Sequence, residues 1–197
     1  MHADAGTTLL PIARAAIASA LGQPHGPVAE DAAWLRQPGA TFVTLTQRGE
    51  LRGCIGSLQA RRPLLEDVKA NAIAAALHDP RFPPLAPAEL AFTEIGVSLL
   101  SPMQVLAVDG ESEALAALRP GIDGVVFEFG HRRSTFLPQV WEQLPDPRAF
   151  MAHLKQKAGL PASFWDRGVR LQRYTVEKWT EPAMAHGPAD TQSEARP

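Results

Sequence analysis

The chain has one cysteine, Cys54, in 197 residues. A single thiol excludes an intrachain disulfide and a tetrahedral thiolate zinc site within one chain. A lone free thiol is also the usage expected of a protein in the reducing cytosol. Positive charge is not in excess: 19 lysines and arginines face 21 aspartates and glutamates, for a formal net charge of -2. Little is therefore available to neutralise phosphates, and nucleic acid is not the expected partner. No apolar run reaches the ~18 residues a membrane helix needs. Met1–Thr8 lacks the charged start and apolar core of a secretory signal. Paired-histidine metal motifs, a phosphate loop with its lysine, a dinucleotide fingerprint and a nucleophile elbow are all missing. These absences give the expectation of a cytoplasmic protein with no membrane segment and no metal site.

What is present is enough apolar sequence to bury a core without staples. Helical spacing of Leu9, Ile12, Ala13, Ala16, Ile17 and Ala20 predicts a helix over Thr8–Leu21, capped by Thr7 or Thr8 and ended by Gly22. Asp31–Gln37 reads as one short helical turn that faces Trp34 and Leu35 to the core. Thr41–Leu58 has two strand-like runs around Gln47-Arg48-Gly49-Glu50, the pattern of a β-hairpin. Pro63–His78 predicts a helix, with proline in its first turn and Glu66 and Asp67 at its positive end. Pro80, Pro83, Pro84 and Pro87 forbid helix across Asp79–Ala88. Beyond them come a strand at Phe92–Leu100, a helix at Glu111–Leu118 capped by Asp109, and a second hairpin around Gly130. Helices at Gln139–Leu144 and Arg148–Lys157 and a closing strand at Val169–Trp179 complete the order. Two successive hairpin-plus-helix units predict an α+β fold with a mostly antiparallel sheet and a smaller helical subdomain. Residues 1–180 are expected to form one domain, with room for a smaller lobe of helical segments, and 181–197 a disordered tail.

Three stretches combine residues that chemistry uses. In Leu51-Arg52-Gly53-Cys54-Ile55-Gly56, strand alternation puts Arg52, Cys54 and Gly56 on one face. A cation two residues from a thiol favours the thiolate. Gly53 and Gly56 weaken a strand, so close approach of a ligand or another backbone, or a bulge, has to explain them. The alternative is that Cys54 is a small buried hydrophobe. In His78-Asp79-Pro80-Arg81-Phe82-Pro83-Pro84-Leu85, prolines hold a histidine, a carboxylate and a guanidinium in fixed relation. The alternative there is a helix end, a turn and a structural ion pair. A His78–Cys54 dyad is conceivable from residue types alone. In Ser134–Trp141 a strand-to-helix joint near Pro138 offers backbone N–H groups for an anion, with Thr135 and Gln139 as polar contacts. A joint packed by Phe136, Leu137 and Trp141 is the competing reading.

Phe42-Val43-Thr44-Leu45 followed by Leu51-Arg52-Gly53-Cys54-Ile55-Gly56 resembles the signature of the AMMECR-type family. The likeness continues in order through Asp79–Leu85, Thr135–Val140 and Lys157-Ala158-Gly159-Leu160. The resemblance implies an α+β fold and a cytosolic protein similar to protein A of the AmmeMemoRadiSam system. Its companions there are a Memo-like protein and a radical S-adenosylmethionine enzyme. The signature positions carry over as Arg52, Gly53, Cys54, Gly56, Asp79, Arg81 and Phe82; His78 lies outside that pattern, which weakens the dyad. The expectation is an enzyme, or the substrate-binding component of one, with Cys54 as thiol, Arg52 or Arg81 as anion clamp and Asp79 as orienting or proton-transferring group. Gly53, Gly56, His78, Phe82, Thr135 and Gln139 are its expected binding contacts. The alternative is a non-catalytic adaptor that presents a protein or peptide to a companion enzyme.

Overall fold

The computed structural model describes residues 5–182. All but the first two residues of the expected tail lie outside that range. In chain order the elements are α1 (Ala5–Ala20), a 3-10 turn (Ala33–Arg36), β1 (Pro38–Gly39), β2 (Thr41–Gln47), β3 (Glu50–Gly56), β4 (Arg62–Pro63) and α2 (Leu64–Leu77). A 3-10 segment (Pro87–Phe92), β5 (Glu94–Leu100), β6 (Gln104–Leu106), α3 (Glu111–Ala117), β7 (Gly124–Phe129) and β8 (Arg132–Phe136) follow. The order ends with a 3-10 turn (Pro138–Glu142), α4 (Pro147–Lys157), β9 (Arg170–Tyr174) and β10 (Val176–Thr180). The class is α+β. The described residues form two compact units, one of 5–99 with 178–182, the other Leu100–Glu177.

The first unit has a four-stranded sheet in the order β10-β5-β2-β3, with β2 antiparallel to both β3 and β5. Arg48 and Gly49 both take positive φ, 53° and 82°, the geometry that lets a two-residue turn match strand twist. Val43, Leu45, Ile95 and Val97 point to one face, where they pack with Leu9, Ile12 and Ile17 of α1 and Val68 and Ala72 of α2. Each such fully buried aliphatic side chain contributes roughly 1.5–3 kcal/mol. α1 starts three residues earlier than its sequence predicts, so Thr7 and Thr8 lie inside the helix rather than capping it. Packing decides this: a Cβ on Gly6 would stand 2.4 Å from the Trp179 ring, so only glycine lets the first turn dock there.

α2 is tied to the sheet by a buried polar network that sequence reading assigned only to helix polarity. Asp67 Oδ2 accepts from Thr41 N and Thr41 Oγ1, both at 2.8 Å, and from Asn71 Nδ2 at 2.9 Å. Its Oδ1 accepts from Ser57 Oγ (2.8 Å) and Arg62 Nε (2.9 Å). A buried carboxylate is tolerable because every acceptor direction is used.

The second unit has its own antiparallel sheet, β6-β9-β7-β8. Val125, Phe127 and Leu171 pack against Phe150, Met151 and Leu154 of α4. Trp141 stacks on Phe150 with ring centroids 3.7 Å apart and donates from Nε1 to the Asp123 carbonyl at 2.7 Å. α3 is not capped by Asp109: Gly110 occupies the cap position, and the Asp109 N–H donates to Glu113 instead, at 2.8 Å. The expected closing strand is two strands in two sheets. Thr175 breaks it, exchanging hydrogen bonds of 2.9 Å with the Ser101 backbone N–H and hydroxyl, after which the chain changes sheet.

Candidate functional site

β3 is an edge strand of the first unit's sheet, at the opposite side from β10. Its register against β2 slips between Leu45 and Thr46: Thr46 faces Leu51, Leu45 faces Gly53, and Arg52 has no partner. This β-bulge breaks strict alternation, so Leu51 is exposed, 42%, rather than turned inward with Gly53 and Ile55. It also redirects Arg52 along the sheet edge. Arg52 Nε and Nη2 each donate to Glu89 at 3.1 Å, and Nη1 donates to the Pro83 carbonyl at 2.9 Å. The guanidinium is spent on the protein's own loop.

The two glycines are explained by internal packing. A Cβ on Gly53 would lie 2.2 Å from the Ala75 carbonyl oxygen, so the absent side chain lets α2 lie directly on the strand. A Cβ on Gly56 would lie 2.2 Å from Cγ of Phe42, its cross-strand partner. Another backbone and an aromatic ring, not a ligand, fill both spaces.

Cys54 sits opposite Thr44, and Thr44 opposite Gly96, so one row of small residues crosses three strands. The half-buried Cys54 Sγ is 3.4 Å from Thr44 Oγ1. Both backbone polar groups of Cys54 point away from β2. Its N–H donates to Asp79 Oδ2 at 2.8 Å, and its carbonyl accepts from Arg81 Nη2 at 3.1 Å. Asp79, 2% exposed, also accepts from Arg81 Nε (2.9 Å), Nη2 (2.7 Å) and backbone N (3.1 Å). The last of these is the short-range turn that Asp followed by Pro favours.

The Arg81 guanidinium holds the Asp79 carboxyl far below the ordinary carboxylate range, against the opposing effect of burial and with help from the N–H groups of Cys54 and Arg81. Asp79 is thus favoured in its ionised form and, through these bonds, orients its neighbours. In return Asp79 raises the Arg81 pKa, with a smaller contribution from nearby Cys54. Phe82 lies under the Arg81 guanidinium, 5.5 Å from Cζ to ring centroid. Leu85 is buried and its N–H donates to the Ala76 carbonyl at 2.8 Å, fastening the loop to the end of α2.

His78 is the C-cap of α2 and is exposed; the hydrogen-bond partner of the thiol is Thr44, not an imidazole. Thr135 and Gln139 belong to the second unit. Thr135 Oγ1 is 3.1 Å from the Tyr174 hydroxyl, and Gln139 is exposed in the five-residue turn Pro138–Glu142. Glu89 is the site residue that sequence reading missed. Arg52 holds it below its ordinary pKa, and it also accepts from Gln47 Nε2 (3.2 Å) and Ala86 N (2.7 Å). Its signal was a glutamate three residues after Ala86 with Pro87 between, the spacing of a helix-start capping box. Among the described residues no three His, Cys, Asp or Glu side chains are grouped to hold a metal ion, and no helix is long and apolar enough to cross a membrane.

The AMMECR1 family model matches residues 10–179. A protein of Methanothermobacter thermautotrophicus is 38% identical over 182 residues, covering 90% of this chain and 95% of that relative. A protein of Thermotoga maritima is 39% identical over 146 residues, 73% of this chain and 78% of its own length. The crystal structure of an uncharacterized protein from Pyrococcus horikoshii superposes with a TM-score of 0.76 at 32% identity, covering 91% of this chain and 92% of that one. The chain belongs to the AMMECR1 family.

Proposed function

We propose that this chain is a cytoplasmic enzyme, or the substrate-binding component of one, with its site at Cys54 on the β3 edge. Cys54 is the thiol, Arg81 the anion or carbonyl clamp, and Asp79 the group that orients both. One observation carries this reading. Arg81 Nη2 is fixed on the Cys54 carbonyl while Nη1 has no hydrogen-bond partner among the described residues, and the side chain is 53% exposed. A charged donor held beside a half-buried thiol is an arrangement that suits a small substrate bearing a carboxylate, phosphate or polarised carbonyl. The neighbours of Cys54 in its cross-strand row, Thr44 and Gly96, are both small. The companions in this reading are a Memo-like protein and a radical S-adenosylmethionine enzyme, as the likeness to protein A of the AmmeMemoRadiSam system implies. The test is the rate of iodoacetamide alkylation of the native protein, with native mass spectrometry for a retained ligand. A Cys54 that alkylates only after unfolding removes the nucleophile role.

The internal commitment of Arg52, Glu89 and Asp79 favours a second reading, in which the same motif shapes a surface for a companion protein. Co-purification with the two companions that is lost in Arg81→Ala, together with no bound metabolite, selects it over the first.

A further inference from the structure

An edge strand leaves backbone donors and acceptors open to any other strand, and proteins cover such edges. The β3 edge is covered in an unusual way. The neighbouring segment contains Pro80, Pro83 and Pro84, which have no N–H and cannot build a β-ladder. Side chains take the place of a strand instead. The Asp79 carboxylate receives the Cys54 N–H at 2.8 Å, and the Arg81 guanidinium donates to the Cys54 carbonyl at 3.1 Å. Together they occupy the two positions that a neighbouring strand would use.

We propose that the Asp79–Arg81 pair is a plug that denies this edge to β3 of a second copy of the chain. A second copy is the occupant because β3 complements itself. An antiparallel pair centred on Cys54 puts Gly53 opposite Ile55 and Gly56 opposite Arg52, in both directions about the two-fold. Within Arg52–Gly56 each bulky residue then meets a glycine. Cys54 of one copy exchanges both backbone hydrogen bonds with Cys54 of the other, which are the two bonds the plug now makes. Such a pair stands about 5.5 Å apart at Cα, inside the roughly 4.4–6.8 Å that a disulfide spans, and its Cβ atoms must draw together by about 1 Å for the bond to close. The thiol thus reports the pairing, whether or not it is reactive in the sense proposed above, because the plug acts on backbone groups.

The experiment compares the full chain with Asp79→Ala/Arg81→Ala under diamide, which takes two electrons and two protons from the paired thiols. At least tenfold more disulfide-linked dimer is expected from the double variant on non-reducing gels. The triple variant with Cys54→Ser is expected to dimerise without the crosslink in light-scattering chromatography. Arg81→Gln leaves Asp79 on the Cys54 N–H and so preserves the loop if the double variant fails to fold; it is expected to crosslink more than the parent chain. In dilute, monomeric protein the Cys54 amide is expected to exchange at least tenfold more slowly in the parent chain than in Asp79→Ala/Arg81→Ala, which has lost the Asp79 acceptor. Equal crosslinking in parent and variants, a triple variant with the parent's mass, or unchanged Cys54 amide exchange would overturn the proposal.

Discussion

Gly53→Ala is the sharpest test of whether the glycine strand is shaped by packing or by a ligand. The new Cβ stands 2.2 Å from the Ala75 carbonyl oxygen, where ordinary contact begins at 3.4 Å. α2 and β3 must therefore separate by about 1.2 Å, the difference of those two distances. The obstacle is backbone, so no rotamer change relieves it. Val68, Ala72, Ala75 and Ala76 on that helix are buried and move with it. Overpacking of this kind costs about 3 kcal/mol, the upper part of its usual range. Gly53 does not have positive φ, so alanine also restricts the unfolded chain, which offsets ~0.7 kcal/mol. The net loss is about 2 kcal/mol. That corresponds to a fall in Tm of roughly 4–8 °C for a chain of this size. Thermal and urea unfolding followed by circular dichroism measure it. A variant within about 0.5 kcal/mol of the parent would refute the packing account and return Gly53 to the ligand reading.

Two further outcomes follow from the ion pairs. A double-mutant cycle on Arg52→Ala and Glu89→Ala should show a coupling of about 1–2 kcal/mol, because the pair is bidentate and partly buried; additive losses would mean that the guanidinium works only through the Pro83 and Pro84 carbonyls. The carboxyls of Asp79 and Glu89 are both held below their ordinary values, by Arg81 and Arg52 respectively. Their folded-state pKa values lie below those of the unfolded chain. They therefore stabilise fully above the unfolded value of about 4, and that contribution is lost as pH falls through the folded values. Denaturant unfolding between about pH 6 and pH 2.5 should show a shallower acid decline in Asp79→Asn than in the parent, and parallel curves would contradict the assignment.

Periodicity and turn chemistry are local properties, and what depends on them was legible in the sequence. The hairpin at Arg48-Gly49, the helix ending near His78 and the second hairpin at Gly130 all follow from spacing and from which residues accept positive φ. The ordered motifs pointed to the family because four separated blocks in one order are hard to match by accident. The bulge at Arg52 was not legible, because it is a slip between two strands and no single strand records it. Nor was Glu89 as the partner of Arg52, since a pair 37 residues apart leaves no periodic trace. The reason for Gly53 is a carbonyl on a helix 22 residues away, visible only once that helix is laid on the sheet. Sequence alone determined the main helices and the two hairpins, through steric preferences acting over a few residues, but not the division of the closing strand between two sheets. Tertiary structure decided that the motif's charges are tied to the protein's own edge strand and its neighbouring loop, because hydrogen bonds to that edge come from residues that only folding brings alongside it.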